Sequence, residues 1–253
     1  MLEVADAGPL DDLGKARVDL LRAEAAYSLN RGSDAPPLLL RAARALESLD
    51  MRLARETYLD AWSAALFAGR LATSGTLLDV SCAVASAGQA PEPARASDVL
   101  LDGLAALFTE GREAGVPVLA RAATAFAAPD IPVEEVLRWG WLGVVAAAIV
   151  WDFEACLSTA TRQVEVARAS GALAVMTVGV NVLAQVAAMA GDLAEAAALI
   201  VEARAVTEAT GTHIAPYGTL VHAALRGRED EAFALIEATV ESAVAEGQGT
   251  AVQ

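Results

Sequence analysis

The chain has 253 residues, 55% hydrophobic and 20% charged, so a sizeable core can be buried and wholesale disorder is excluded. Acidic residues number 33 against 18 basic ones, a formal charge of -15. That balance argues against gripping a phosphate backbone, where binding rests on Lys and Arg displacing counterions.

The opening stretch, MLEVADAGPLDD, is acidic and lacks a basic leader followed by an apolar run, so no secretory signal is expected. Beyond it, a turn residue recurs between long apolar-periodic stretches: Gly32, Gly69, Gly111, then Trp151-Asp152, then Gly191 and Gly227. The steps are 37, 42, 40, 40 and 36 residues, a period typical of stacked helix pairs. Glycine suits a helix stop because it adopts left-handed backbone geometry cheaply. Breakers mark the remaining joints: Ala35-Pro36-Pro37 at a helix start, Pro91 and Pro93, Pro129 and Pro132 before Glu134, and Gly211 with Pro216. Between Gly191 and Gly211, Leu193, Ala196, Ala197, Ile200, Val201 and Ala203 fall mostly at three-and-four spacing, with Glu195, Glu202 and Arg204 on the other face. Asp192, and Glu229 with Asp230, suit the first turn of a helix, where negative charge meets the positive end of the dipole. No segment alternates as a half-buried strand would. The reading is an all-α chain of about twelve helices in six antiparallel pairs, a single domain over residues 1–253, stacked as a right-handed solenoid of the tetratricopeptide kind.

Residues 169–191 form an uncharged run of 23, long enough on paper to cross a bilayer. Thr177, Asn181 and Gln185 are polar, Gly171 and Gly179 interrupt, and neither flank carries a basic cluster, so a buried helix is expected instead. Cys82 and Cys156 lie far apart, with no CxxC and no histidine at ligand spacing. Neither a disulfide framework nor a zinc site follows, and a cytoplasmic setting is expected.

Several stretches are more specific than a generic repeat. Residues 31–50 (RGSDAPPLLLRAARALESLD) and 55–71 (RETYLDAWSAALFAGRL) resemble a segment of the large ATP-binding LuxR-type transcriptional regulators, whose architecture is similar to that of the maltose-operon activators. The resemblance continues through LLDGLAALFTEG at 100–111, ATRQVEVARASGALAV at 160–175, and residues 208–240. It implies the helical-repeat middle of such a regulator, with the ends at Met1 and Gln253 read as cuts inside a larger polypeptide. The family's nucleotide-binding module and its C-terminal DNA-reading helix-turn-helix are expected elsewhere. The only lysine, Lys15, sits in Gly14-Lys15-Ala16 rather than in a phosphate loop, and too few residues follow Val240 for a DNA-reading domain. No cofactor and no direct nucleic-acid contact are therefore expected of this segment, and no membrane association.

Catalytic constellations are equally absent from the sequence. His213 and His222 are nine residues apart, with neither nucleophile nor orienting acid beside them. Asp11-Asp12 and Glu134-Glu135 fall at helix starts, where dipole complementarity accounts for them. No catalytic residue and no metal ligand is named, and a non-enzyme is expected. In stacked helix pairs the first helix of each pair lines the concave surface, and residues about ten and six before the turn face into it. Counting back from each turn gives Ser63, Trp141, Asn181 and Gln185, and Tyr217, with Glu56 and Arg138 one helical turn earlier on the same faces. These seven either line a groove for a small effector or a protein partner, or pack between repeats. Tyr58, Trp62 and Trp139 are expected to fill the space between paired helices. The functional expectation is a regulatory sensor arm. The alternative is a scaffold that links and oligomerises the modules at its ends, and apolar helix faces at those ends would allow self-association.

Overall fold

In a computed structural model, residues 10–28, 34–72, 74–211, 214–245 and 249 are described. Twelve α-helices and no strand occur among them, and one short 3-10 turn, Gly69–Leu71. The helices are α1 Asp12–Ser28, α2 Ala35–Leu46, α3 Met51–Ala68, α4 Leu77–Ser86, α5 Ala96–Thr109 and α6 Arg112–Ala127. They continue as α7 Val133–Ile149, α8 Phe153–Ser170, α9 Leu173–Met189, α10 Leu193–Thr210, α11 Tyr217–Leu225 and α12 Glu229–Ala245. The fold is all-α, built of adjacent helix pairs.

The joints follow the sequence signals closely. Gly69, Gly111, Gly191 and Gly227 all take positive φ, and Trp151 takes φ 61° at the corresponding place between α7 and α8. Gly32 lies outside the described residues. Helix starts are capped as their side chains dictate: Asp50 accepts from the Leu53 amide, Asp152 from Ala155 and Asp192 from Glu195. Thr76 and Asp79 form a reciprocal capping box at the head of α4. Pro36 and Pro37 lie in the first turn of α2, where their missing donors are not needed. Gly171 and Gly211, both left-handed, close α8 and α10.

Two compact units compose the chain. One runs to Val118 and takes in the chain from Ser242; the other is Leu119–Glu241. In the first, α2 packs on α1 and α3, and α3 on α4 and α5. Tyr58 and Trp62 are buried there, and Trp62 meets Phe108 edge-to-face with centroids 5.9 Å apart. In the second, α9 packs on α7, α8, α10 and α11, so first helices of successive pairs stack on one another while each also holds its own partner. Its core gathers Val164, Val180, Ala184, Leu199 and Ile200, and Trp139 is buried against Arg138, whose guanidinium lies 4.6 Å from the ring centroid.

One sequence expectation meets a correction in detail. In α10 the buried face is carried by Ala196, Leu199 and Ile200, while Val201 is exposed, because it lies one residue, about 100° of helix, off that face. The buried helix expected within residues 169–191 is α9, Leu173 to Met189, which begins after Gly171 has ended α8. No helix among the described residues is long and apolar enough to cross a membrane.

Candidate functional site

Of the seven side chains counted back from the turns, Trp141 and Gln185 come together. Both line a cavity of about 490 Å³ walled by α7, the first turn of α8, and α9. Val144, Val145, Ile149, Val182 and Val186 supply its apolar surface. No charged side chain lines it, and Gln185 contributes the single amide. The geometry follows from the repeat: Trp141 lies ten residues before Trp151, Gln185 six before Gly191, and α7 stacks on α9. Cys156 also lines it, its thiol 3.6 Å from the Val144 carbonyl, and burial pushes that thiol above its ordinary pKa. Ala148, Trp151, Phe153 and Met189 complete the lining and are all exposed.

The other five are placed differently. Asn181 is buried; its amide donates to the Ala215 carbonyl and accepts from the Gly218 amide, both at 2.9 Å. It therefore fastens the start of α11 to α9, and Gly218 is needed there because a Cβ would stand 2.8 Å from that of Ala184. Asn181 also borders a smaller cleft of about 270 Å³ that includes Arg204, Thr207 and Glu208, but both ends of its amide are already used. Tyr217 opens α11 and is half-buried; its hydroxyl lies in the interior, and burial raises its pKa. Arg138 is exposed over Trp139. Ser63 is buried, its hydroxyl bonded back to the Leu59 carbonyl at 2.8 Å.

Glu56 belongs to a charged cluster between α3 and α5 that sequence reasoning did not see. Arg55 and Asp98 are only 3% and 2% exposed, with Arg55 Nε donating to Asp98 Oδ1 at 2.9 Å. Arg55 Nη2 also reaches Asp102 at 2.5 Å and the Asp98 carbonyl at 3.0 Å. Arg95 donates to Asp98 through Nε at 3.0 Å and to Glu56 through Nη1 at 2.5 Å. Burial alone would raise the Asp98 pKa; hydrogen bonds from the Arg95 side chain and amide, and from Arg55, outweigh it and hold the carboxyl below its usual range. Every charge in this cluster has a partner, so it is a clasp between helices. The first compact unit also carries a broad open depression of about 740 Å³ beside Arg41, Arg44 and Asp79.

His222 is buried with Nε2 3.2 Å from the Leu193 carbonyl, held by backbone rather than by a reacting partner. His213 lies outside the described residues. No group of three or more His, Cys, Asp or Glu among the described residues is placed to hold a metal ion. No protein-family model, no curated protein and no solved structure matches this chain.

Proposed function

We propose that this chain is a non-catalytic sensor arm, a helical-repeat segment that binds an effector or partner at the seam of α7 and α9. On the strength of the sequence resemblance, its setting is a regulator of the LuxR type, and ATP and DNA binding are assigned to none of its residues. The observation that carries the reading is the cavity shared by Trp141 and Gln185, since clefts that hold ligands combine apolar walls with a few placed polar groups. Because the walls come from two successive helix pairs, an occupant favours one relative placement of those pairs over another. Such differential affinity is what a sensor requires. Cys156 and His222 are both tied to backbone carbonyls, which leaves neither poised as nucleophile or base.

Thermal-shift and calorimetric titration of the 253-residue chain against candidate effectors tests the proposal. A ligand at about a hundred times its Kd adds about 2.7 kcal/mol to stability. Trp141→Ala and Gln185→Leu are expected to weaken that ligand. Regulation left intact by both substitutions, with no binder found, would instead favour a scaffold.

A further inference from the structure

We infer that the cavity between α7 and α9 takes a neutral, largely apolar small molecule with one hydrogen-bonding group, and that Trp151 is the rim that covers it. This rests on the sensor reading above and gives its site a ligand class. Three observations carry it.

The first is charge. A cavity with no charged lining residue offers an ion nothing to replace its hydration, whereas the Gln185 amide can meet one donor or acceptor. The second is size. A space of about 490 Å³ falls within the range of about 300–1,000 Å³ found for small-molecule sites.

The third is Trp151. The matching turns at Gly69, Gly111, Gly191 and Gly227 place glycine in the positive-φ position, and only this one places a bulky side chain there, at φ 61°. Left-handed backbone is unfavourable for any residue with a Cβ. A tryptophan in that position normally repays the strain by packing, yet Trp151 is 87% exposed. It lines the cavity together with Phe153 and Met189, also exposed, which sets these three at its solvent side. Strain kept without a packing return, at the lip of an apolar cavity, is the pattern of a residue retained for its ligand.

Phenylnaphthylamine, a neutral pair of aromatic groups joined by one N–H, is the probe, and anilinonaphthalene sulfonate is its charged counterpart. Titrations follow probe emission and energy transfer from tryptophan. The neutral probe is expected to bind at least about tenfold more tightly than the sulfonate. Ala148→Trp, at an exposed position on the cavity wall, is expected to weaken it by about tenfold or more. Trp151→Gly is expected to weaken it by a similar factor while melting no earlier than the wild type, because glycine relieves the backbone. Equal binding of the sulfonate overturns the ligand class and leaves the cavity as the sensor site. Unchanged binding to a folded Ala148→Trp chain removes the cavity, and the sensor reading with it. A Trp151→Gly chain that binds equally well, or melts earlier, makes Trp151 a structural residue and overturns its role as rim.

Discussion

Replacing Asp98 by alanine is expected to destabilise the first compact unit by about 3–5 kcal/mol, the cost of removing one partner from a buried ion pair. The structure gives the reasons. Asp98 accepts from Arg55 Nε, Arg95 Nε and the Arg95 amide at 2.9, 3.0 and 3.0 Å. Without the carboxylate, Arg95 keeps Glu56, but Arg55 remains 3% exposed with the half-exposed Asp102 as its one charged partner. Loss of the helix cap alone would cost only about 1 kcal/mol, so the measured value separates capping from the uncompensated charge. Urea unfolding followed by circular dichroism and by emission of a chain whose one remaining tryptophan is Trp62 reads it. In the double substitution Arg55→Met with Asp98→Ala, the stranded charge is gone, and the loss is expected to be smaller than for Asp98→Ala alone. A double mutant as unstable as the sum of the two singles would refute the reasoning.

The same carboxylate makes a signed prediction for pH. Its folded pKa lies below its unfolded value, so its contribution is fully present above the unfolded pKa of about 3.9 and is lost as pH falls through the lower folded value. The gap between wild type and Asp98→Ala is expected to hold constant between about pH 5 and about pH 8 and to narrow below about pH 4. A gap that widened in acid would mean the carboxylate is not the stabilising form.

Other substitutions read single features of the packing. Gly143→Ala places a Cβ 2.7 Å from Cγ of the buried Phe126, and a loss of about 1–3 kcal/mol in urea unfolding is expected from overpacking. Asn181→Ala removes both bonds that pin α11 to α9; a loss of about 2–4 kcal/mol, with faster amide exchange at Gly218, would mark the freed donor and acceptor. Gly191→Ala meets no atom within 4 Å, so its expected cost of about 1–2 kcal/mol in thermal unfolding reads left-handed backbone strain by itself.

The helical architecture was legible because each helix pair is a local object. Its turn needs a glycine, its caps need Asp or Thr, and its apolar face repeats every three or four residues, all within about forty residues of chain. The clasp between α3 and α5 was not legible for the opposite reason. Arg55 and Asp98 lie 43 residues apart, and nothing in periodicity says which exposed-looking charges will be buried against each other. Asn181 shows the same limit: its position on α9 could be counted, but its partners Ala215 and Gly218 belong to a loop whose path only the folded chain specifies. The exchange of Val201 for Leu199 on the buried face of α10 is smaller and also tertiary, since neighbouring helices choose the phase among several apolar stripes in an alanine-rich segment.

One signal for the site was present in the sequence all along. Aligning the turns by their period puts tryptophan at 151 where glycine stands at 69, 111, 191 and 227. A repeat tolerates most substitutions on its surface, but not readily a bulky side chain where the backbone must be left-handed. Such an exception costs about 1–2 kcal/mol, which contacts in the folded chain can repay and a use outside folding can retain. At 87% exposed, Trp151 gains little from packing, and it lines the Trp141–Gln185 cavity, where the proposed ligand would use it. In a regular repeat, the residue that breaks the rule at an energetic cost says more about function than the many residues that keep it.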